Sequence, residues 1–152
     1  MKQGWIDHFM GLAEFKATKS KDPSTKVGAV VVGPDMAERS LGYNGFPRGT
    51  DDDSDLYDDR ETKLMRTVHA EANAIAQAAR AGNSTNGCTM VVSFHPCSQC
   101  AAMMINAGIV RVVCPPPPEA TKWKRSFFES RSLLDEAGVE VIYVEGQGRV
   151  DQ

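Results

Sequence analysis

The sequence predicts an α/β fold in which helices cover a mixed, largely parallel β-sheet. Short β-branched apolar runs alternate along the chain with longer segments of helical spacing, which is typical of helices packed on a sheet. The first two candidate strands are separated by a short turn, Gly33-Pro34-Asp35, so we expect this pair to form an antiparallel hairpin. The sheet is therefore expected to be mixed.

The first half of the chain supplies one helix, the hairpin, a long polar segment and a second helix. Residues 4–19 carry apolar side chains at approximately helical spacing, and the apolar run 27–32 is typical of a strand buried on both faces. Residues 40–43 are the second strand of the hairpin. We expect a polar loop over 44–60, whose length is typical of functional loops. A helix is predicted over 64–81, ending at Gly82.

The second half alternates strands and helices. Strands are predicted over 89–94, 109–113 and 139–144, and helices over 97–107 and 121–137, with Gly108 and Gly138 as their stop signals. Four consecutive prolines, 115–118, make a stiff connector. We expect a single domain over 1–145, followed by a polar tail, 146–152, that is a candidate for disorder.

Composition and charge narrow the class of protein. A length of 152 residues with 41% apolar residues suits one globular domain. The net charge of −3 argues against a partner that is polymeric nucleic acid or an anionic membrane, since either partner attracts a basic surface. The sequence holds no apolar run long enough to span a bilayer and no apolar core of a signal peptide near Met1, so we expect a cytoplasmic protein.

The strongest chemical signal is a pair of short motifs, His69-Ala70-Glu71 and Pro96-Cys97-Ser98-Gln99-Cys100. One imidazole and two thiolates are ligands that Zn²⁺ prefers, and three protein ligands leave a fourth position open, as in catalytic zinc sites. The order matches the H-x-E…P-C-x-x-C signature of zinc deaminases that act on nucleobases. We therefore expect His69, Cys97 and Cys100 to bind one zinc ion.

The predicted local structure supports this assignment. Cys97 and Cys100 are three residues apart at the start of a predicted helix, so both sulfur atoms can face one point. The helix N-terminus favours the thiolate form of cysteine. His69 is expected near the start of the preceding helix, so two helix N-termini should converge on the metal.

Glu71 is expected to be the proton shuttle rather than a ligand. Zinc lowers the pKa of bound water to about 7. In the expected reaction zinc-bound hydroxide attacks C4 of a cytosine ring while Glu71 protonates N3. Glu71 then delivers a proton to the leaving amine, and ammonia departs.

Other interpretations of the motif remain open. A C-x-x-C pair alone also occurs in redox dithiols and in structural zinc sites. A structural site would need a fourth ligand, for which Cys88, Cys114 and His95 are available. Cys88 and Cys114 flank predicted strands and are expected to be small buried hydrophobes, whereas His95 is expected to line the pocket.

Several longer segments resemble the deoxycytidylate (dCMP) deaminase family of the cytidine deaminase-like fold. They are SKDPSTKVGAVVV, GYNGFPRG, HAEANAI, FHPCSQC, NAGIVRVV and DEAGVEVIYV, and together they cover about residues 20–144. The resemblance implies a three-layer α/β/α fold with a mixed five-stranded sheet, and conversion of dCMP to dUMP and ammonia. Some relatives carry a second zinc site before the HAE motif; residues 44–68 contain no cysteine or histidine here, so we expect one zinc ion per subunit.

The resemblance also implies substrate contacts. Asn44 is expected at the sugar or base, the backbone N–H of Ala70 at the pyrimidine, and Lys26 at the phosphate. The full set of expected substrate residues is Lys26, Asn44, Ala70, Asn73, His95 and Pro96. Because a phosphate dianion needs cationic partners, the basic residues weighed for it are Lys26, Arg48, Lys122, Lys124 and Arg125.

Regulation and assembly are a further implication. Family members assemble as homo-oligomers, often hexamers, and respond to dCTP and dTTP. The resemblance implies a regulatory nucleotide site, with Mg²⁺ as a companion of the nucleotide. It would involve Gly42, Tyr43, Gly45, Pro47, Asp52, Asp53 and Arg80, the last in a region that resembles the family's subunit contact.

Two rival functions are weighed against a dCMP deaminase. The first is a deaminase of another cytosine nucleotide, a nucleoside or a free base. The second, from a different class, is a non-catalytic zinc-stabilised binding protein. Glu71 discriminates against the latter, since a structural zinc site has no use for that carboxylate.

Overall fold

The computed structural model describes residues 1–145, which form six helices and five strands. The helices are α1 Gln3–Ala17, α2 Asp55–Asp58, α3 Arg60–Arg66, α4 Ala70–Ala81, α5 Ser98–Asn106 and α6 Lys124–Glu136. The strands are β1 Gly28–Val32, β2 Glu38–Tyr43, β3 Thr89–Val92, β4 Arg111–Cys114 and β5 Glu140–Tyr143. The expectations for the tail 146–152 lie outside the described residues.

The five strands form one mixed sheet in the order β2-β1-β3-β4-β5. Strand β1 pairs antiparallel with both of its neighbours, whereas β3, β4 and β5 pair in parallel. Four strands therefore run in one direction and β1 alone runs in the other. The predicted hairpin and the mixed five-stranded sheet are confirmed.

Helices cover both faces of the sheet, which confirms the three-layer arrangement. Along β1, Ala29 and Val31 pack with side chains of α4, α5 and α6, while Val30 and Val32 pack against α1. This division follows from the period of two in a strand, where successive side chains point to opposite faces. It explains why the run 27–32 reads as apolar without alternation.

The predicted loop over 44–60 was wrong in part. Helix α2 occupies Asp55–Asp58 within it, and α3 begins at Arg60. Tyr57 of α2 is only 3% exposed and its ring stacks on Phe46 with centroids 4.0 Å apart. This aromatic contact anchors a segment that is otherwise polar.

The single helix predicted over 64–81 was also wrong. The chain leaves the helical conformation after Arg66, and α4 begins only at Ala70. The N–H of Val68 donates to the carbonyl of Gly45 (2.9 Å), and the N–H of Gly45 donates back to Val68 (3.1 Å). This isolated antiparallel bridge holds the residues before α4 extended, which helix-forming propensity alone does not reveal.

Among residues 1–145 no helix combines the length and the apolar character needed to cross a bilayer.

Gly28 allows α1 to pack closely on β1, and we expect Gly28→Ala to destabilise the protein by about 1–3 kcal/mol or more. A Cβ atom at this position would lie 1.9 Å from the backbone oxygen of Ala13 and 2.7 Å from the nitrogen of Ala17. Because both obstacles are backbone atoms, the helix must move to relieve the clash. Urea unfolding of the two proteins measures the difference.

Gly11→Ala is the matched control for this substitution. Gly11 lies within α1, and nothing lies within 4 Å of the position that its Cβ would take. Alanine is favoured over glycine inside a helix by roughly 0.5–1 kcal/mol, so this variant should be slightly more stable than the parent. Equal stabilities for the two variants would refute the packing argument.

Candidate metal centre and active site

The N-termini of two helices meet at the carboxyl ends of strands β2 and β3. His69 is the N-cap of α4 and Cys97 is the N-cap of α5, and both residues have extended backbone conformations. Strands β2 and β3 run in the same direction. The α4 residue Asn73 donates to the last carbonyl of β2, at Tyr43, and α5 follows the loop after β3. The N-termini of α4 and α5 therefore converge, as predicted.

The three expected ligands lie within metal-binding distance of one another. The Sγ atoms of Cys97 and Cys100 are 3.5 and 3.4 Å from Nδ1 of His69, and all three ligand atoms lie within 4.8 Å of one another. Ordinary Zn–S and Zn–N bond lengths and a tetrahedral angle place a sulfur and a nitrogen ligand about 3.6 Å apart. The donor set and its spacing therefore fit a zinc ion held by His69, Cys97 and Cys100.

The electrostatics of the cluster favour a thiolate. Contacts with Cys100 and His69 lower the pKa of Cys97 to about 4, in spite of its partial burial. The hydrogen bond with Cys97, together with burial, raises the pKa of Cys100. The contact with Cys97 likewise raises the pKa of His69. Thiolate is the form of cysteine that binds metals.

Glu71 lies in the first turn of α4, beside this cluster. Its side chain is 4% exposed, and it shares a hydrogen bond with Cys100. Burial raises the pKa of its carboxyl group above the usual value. A carboxyl group whose pKa moves toward neutrality can both accept and release a proton at the pH of the reaction.

None of the other three residues weighed as a fourth ligand joins the cluster within residues 1–145. Cys88 and Cys114 are buried, at 1% and 0% exposure, as expected for small apolar side chains. Both ring nitrogens of His95 have other partners: Nδ1 lies 3.0 Å from the Pro96 carbonyl and Nε2 lies 3.4 Å from the Tyr143 hydroxyl. Three protein ligands leave the fourth position of a tetrahedral ion open.

A cavity of about 850 Å³ opens over the cluster. His69, Cys97 and Glu71 contribute to its lining, together with Asn44, Ala70 and His95 from the expected substrate set. The volume lies within the usual range for a small-molecule site, about 300–1,000 Å³. Burial lowers the pKa of His95, which keeps a neutral imidazole in this wall.

Asn44 is held in a fixed orientation. Its Oδ1 accepts the N–H of Val27 (2.8 Å), and its Nδ2 donates to the carbonyl of Thr25 (2.8 Å). A side-chain amide has a second N–H donor. Asn44 is 6% exposed and lines the cavity, so one donor can serve a ligand while the other fixes the group.

Three residues of the expected substrate set are outside the cavity lining. Lys26 is exposed and does not line the cavity, although its neighbours Thr25 and Val27 do. Asn73 donates to the carbonyls of Tyr43 (2.8 Å) and Val68 (3.3 Å), so it braces the segment before α4. Pro96 is buried and offers its carbonyl to His95.

Sequence reasoning missed the cationic and aromatic parts of the cavity wall. Lys63 and Arg60 of α3 line it, as does Phe127 of α6. Of the basic residues weighed for a phosphate, only Lys122 contributes to the lining. Phe127 is 5% exposed and packs edge-on against His95 at 5.3 Å. The predicted helix began only at Leu64, and nothing in the sequence shows which face of α3 is turned toward the cavity.

The profile described as "Cytidine and deoxycytidylate deaminase zinc-binding region" matches residues 3–115. The chain belongs to this deaminase family. It is 40% identical over 142 residues to an uncharacterized deaminase in the luxG 3′ region of Aliivibrio fischeri, covering 92% of this chain and 93% of that protein. It is 38% identical over 146 residues to a probable deoxycytidylate deaminase of Drosophila melanogaster, covering 90% and 70%.

Solved structures agree with the family assignment. The dCMP deaminase of the cyanophage S-TIM5, in complex with dCMP and dUMP, superposes with a TM-score of 0.75 at 25% identity. The match covers 95% of this chain and 99% of the phage chain. The two proteins therefore share the same fold over almost their whole lengths.

The residues expected at the family's regulatory site have internal partners here. Asp52 forms an ion pair with Lys21 at 2.9 Å and accepts the hydroxyl of Tyr57 at 2.8 Å. Gly45 makes the backbone bridge to Val68, and the carbonyl of Pro47 accepts hydrogen bonds from Thr50. These contacts give the loop a defined shape.

The other expected regulatory residues do not lie together: Gly42 packs against α4, whereas Arg80 is exposed. Gly42 fits closely against α4, since a Cβ there would lie 2.3 Å from the carbonyl oxygen of Ala70. The ring of Tyr43 has the ammonium group of Lys16 5.5 Å from its centroid. The carbonyl of Asp53 accepts a hydrogen bond in the turn that starts α2, and Arg80 is exposed near the end of α4.

Proposed function

We propose that this protein converts dCMP to dUMP and ammonia by zinc-dependent hydrolysis. The observation that carries the proposal is the buried Glu71 carboxyl group, which lies beside the His69, Cys97 and Cys100 cluster and lines a cavity of about 850 Å³. The Drosophila relative described as a probable deoxycytidylate deaminase and the phage enzyme solved with dCMP and dUMP support the choice of substrate.

His69, Cys97 and Cys100 would hold one zinc ion, which when bound lowers the pKa of a water ligand to about 7. Glu71 accepts a proton from the attacking water as the new C4–O bond forms, and passes it to N3 of the ring. Glu71 then takes the hydroxyl proton of the adduct and gives it to the amino group, so that the C4–N bond breaks and ammonia leaves. Uracil remains, and Glu71 returns to its starting state.

The chain also positions the substrate. Ala70 is the first residue of α4, so its N–H has no acceptor within the helix and can donate to the pyrimidine. Asn44 can donate its second amide N–H to the sugar while Val27 and Thr25 fix its orientation. His95 and Phe127 form an apolar wall of the same cavity.

Rates with dCMP, CMP, deoxycytidine and cytosine test the proposal directly. Loss of the cytosine chromophore in the ultraviolet reports the reaction for each compound. We expect the zinc-loaded protein to have its highest kcat/KM with dCMP. Preference for deoxycytidine or cytosine would favour the rival deaminase, and absence of turnover with all four would favour the non-catalytic zinc protein.

Assembly and regulation belong to the same proposal. We expect a homo-oligomer, with a hexamer favoured, and a response to dCTP and dTTP. Because Asp52 is paired with Lys21 and Tyr57, a regulatory nucleotide with its Mg²⁺ must compete with these contacts. Light scattering and dCMP rates with dCTP, with and without Mg²⁺, test both expectations.

A further inference from the structure

A lysine and an aspartate form an ion pair in the cavity wall, outside the metal cluster. The Nζ of Lys63 lies 3.2 Å from Oδ1 of Asp22, and the two side chains are 14% and 9% exposed. Nζ also lies 3.3 Å from the hydroxyl oxygen of Ser24. All three residues line the cavity. The ammonium group is therefore held at one place on the wall rather than swinging in solvent.

Asp22 is itself fixed by the backbone. Its Oδ1 accepts the N–H groups of Ser24 (2.8 Å) and Thr25 (3.1 Å), and its own N–H donates to Ser20 Oγ (3.2 Å). A carboxylate that accepts two backbone donors is a rigid partner. The position of Lys63 thus follows from the turn at Ser24.

The segment 20–25 is also hydrogen-bonded to Asn44. The carbonyl of Thr25 accepts from Asn44 Nδ2, and the hydroxyl of Ser20 donates to the Asn44 carbonyl at 2.7 Å. Ser24 precedes Thr25, and consecutive Cα atoms are about 3.8 Å apart. The proposed sugar contact and the Ser24–Lys63 pair are therefore within the reach of one nucleotide.

We propose that Lys63 and Ser24 bind the 5′-phosphate and make a nucleotide, rather than a nucleoside, the preferred substrate; this inference rests on the proposed function. An ammonium group has three N–H donors, and the contacts with Asp22 and Ser24 use two of them. The third can donate to a phosphate oxygen. The Ser24 hydroxyl accepts from Lys63 and so keeps its own O–H to donate.

Other cations support the same site without being fixed there. Arg60 and Lys122 line the cavity and are exposed. Their charges add to the potential that attracts a dianion, but the directed hydrogen bonds come from the Lys63 and Ser24 pair. Charge-assisted hydrogen bonds are the stronger class.

Lys63→Met tests the inference because it should impair the reaction with dCMP but not the reaction with deoxycytidine. We expect KM for dCMP to rise about 10- to 100-fold with kcat within twofold, which is the range for loss of a hydrogen bond to a charged group. The kcat/KM for deoxycytidine should stay unchanged, because that substrate has no phosphate. The ratio of the two kcat/KM values is therefore the decisive readout.

Two further variants separate this site from general effects of charge and folding. Arg66→Met removes a positive charge from the same helix at a residue that does not line the cavity, and should leave the ratio unchanged. Ser24→Ala keeps the Lys63–Asp22 ion pair and should raise KM for dCMP by a smaller factor, about 3- to 10-fold. Ser24→Ala also tests the inference if Lys63→Met fails to fold.

Binding measured without turnover distinguishes this inference from the proposed function. Calorimetry with dUMP and with deoxyuridine should show weaker dUMP binding in Lys63→Met and equal deoxyuridine binding. That result with no deaminase activity would overturn the proposed function and leave the phosphate site standing. Equal dUMP affinity in Lys63→Met and the parent, or loss of dUMP affinity in Lys26→Met instead, would overturn the inference.

Discussion

Replacing Glu71 with glutamine should lower kcat for dCMP by about 10²- to 10⁴-fold, the range for loss of a general acid–base group. Glutamine keeps the size and much of the hydrogen bonding of the side chain, but it cannot accept and release a proton. The three ligands are unchanged, so the protein should still contain one zinc ion. Rates with dCMP and metal analysis of the same sample measure both quantities.

Glu136→Gln provides a matched control, since this glutamate lies exposed in α6, away from the residues that line the cavity. It should keep parental activity and zinc content. A Glu71→Gln protein with parental kcat would rule out the proton shuttle. A Glu71→Gln protein that has lost its zinc would mean that Glu71 acts in the metal site itself.

The candidate ligand set could be predicted from the sequence because its members lie close together along the chain. His69 and Glu71 are two residues apart, and Cys97 and Cys100 are three residues apart. Each pair lies at the start of a helix, so the periodicity of the backbone fixes which way the side chains face. The hairpin and the mixed sheet could also be predicted, since β1 and β3 are short apolar runs and a short turn separates β1 from β2.

The break between α3 and α4 was not accessible, because a distant residue causes it. Gly45 pairs with Val68 and holds the residues before α4 extended, although the local sequence favours a helix. The consequence is functional. His69 is the extended N-cap of α4 rather than a residue inside a longer helix, and this places its imidazole beside the two thiols.

Sequence reasoning missed Lys63, the residue proposed for the phosphate, for a similar reason. The sequence alone does not distinguish the roles of Lys26 and Lys63. Only the fold shows that Lys26 is exposed and that Lys63 lies in the cavity wall. The partner of Lys63 is 41 residues away, at Asp22. Periodicity and motifs report short separations, so pairs of this kind need the tertiary structure.

Cys100→Ala should remove stoichiometric zinc, abolish measurable deamination and lower the melting temperature. Cys100 is 3% exposed and its Sγ lies 3.4 Å from Nδ1 of His69, so no solvent ligand can easily replace it. A metal that binds only the folded state adds stability that grows with its occupancy, about 4 kcal/mol at a thousandfold excess over Kd. The parent treated with a strong chelator should show the same loss of zinc and of melting temperature.

Cys88→Ala is the matched control, and it also decides what kind of zinc site this is. Cys88 is buried like Cys100 but is not part of the cluster, so its replacement should cost only the packing of one sulfur atom. That variant should keep one zinc ion per chain and parental kcat. If both variants lost zinc, Cys88 would be a fourth ligand and the site would be closed and structural. Loss confined to Cys100→Ala leaves three ligands and an open position for water, which the proposed deamination requires.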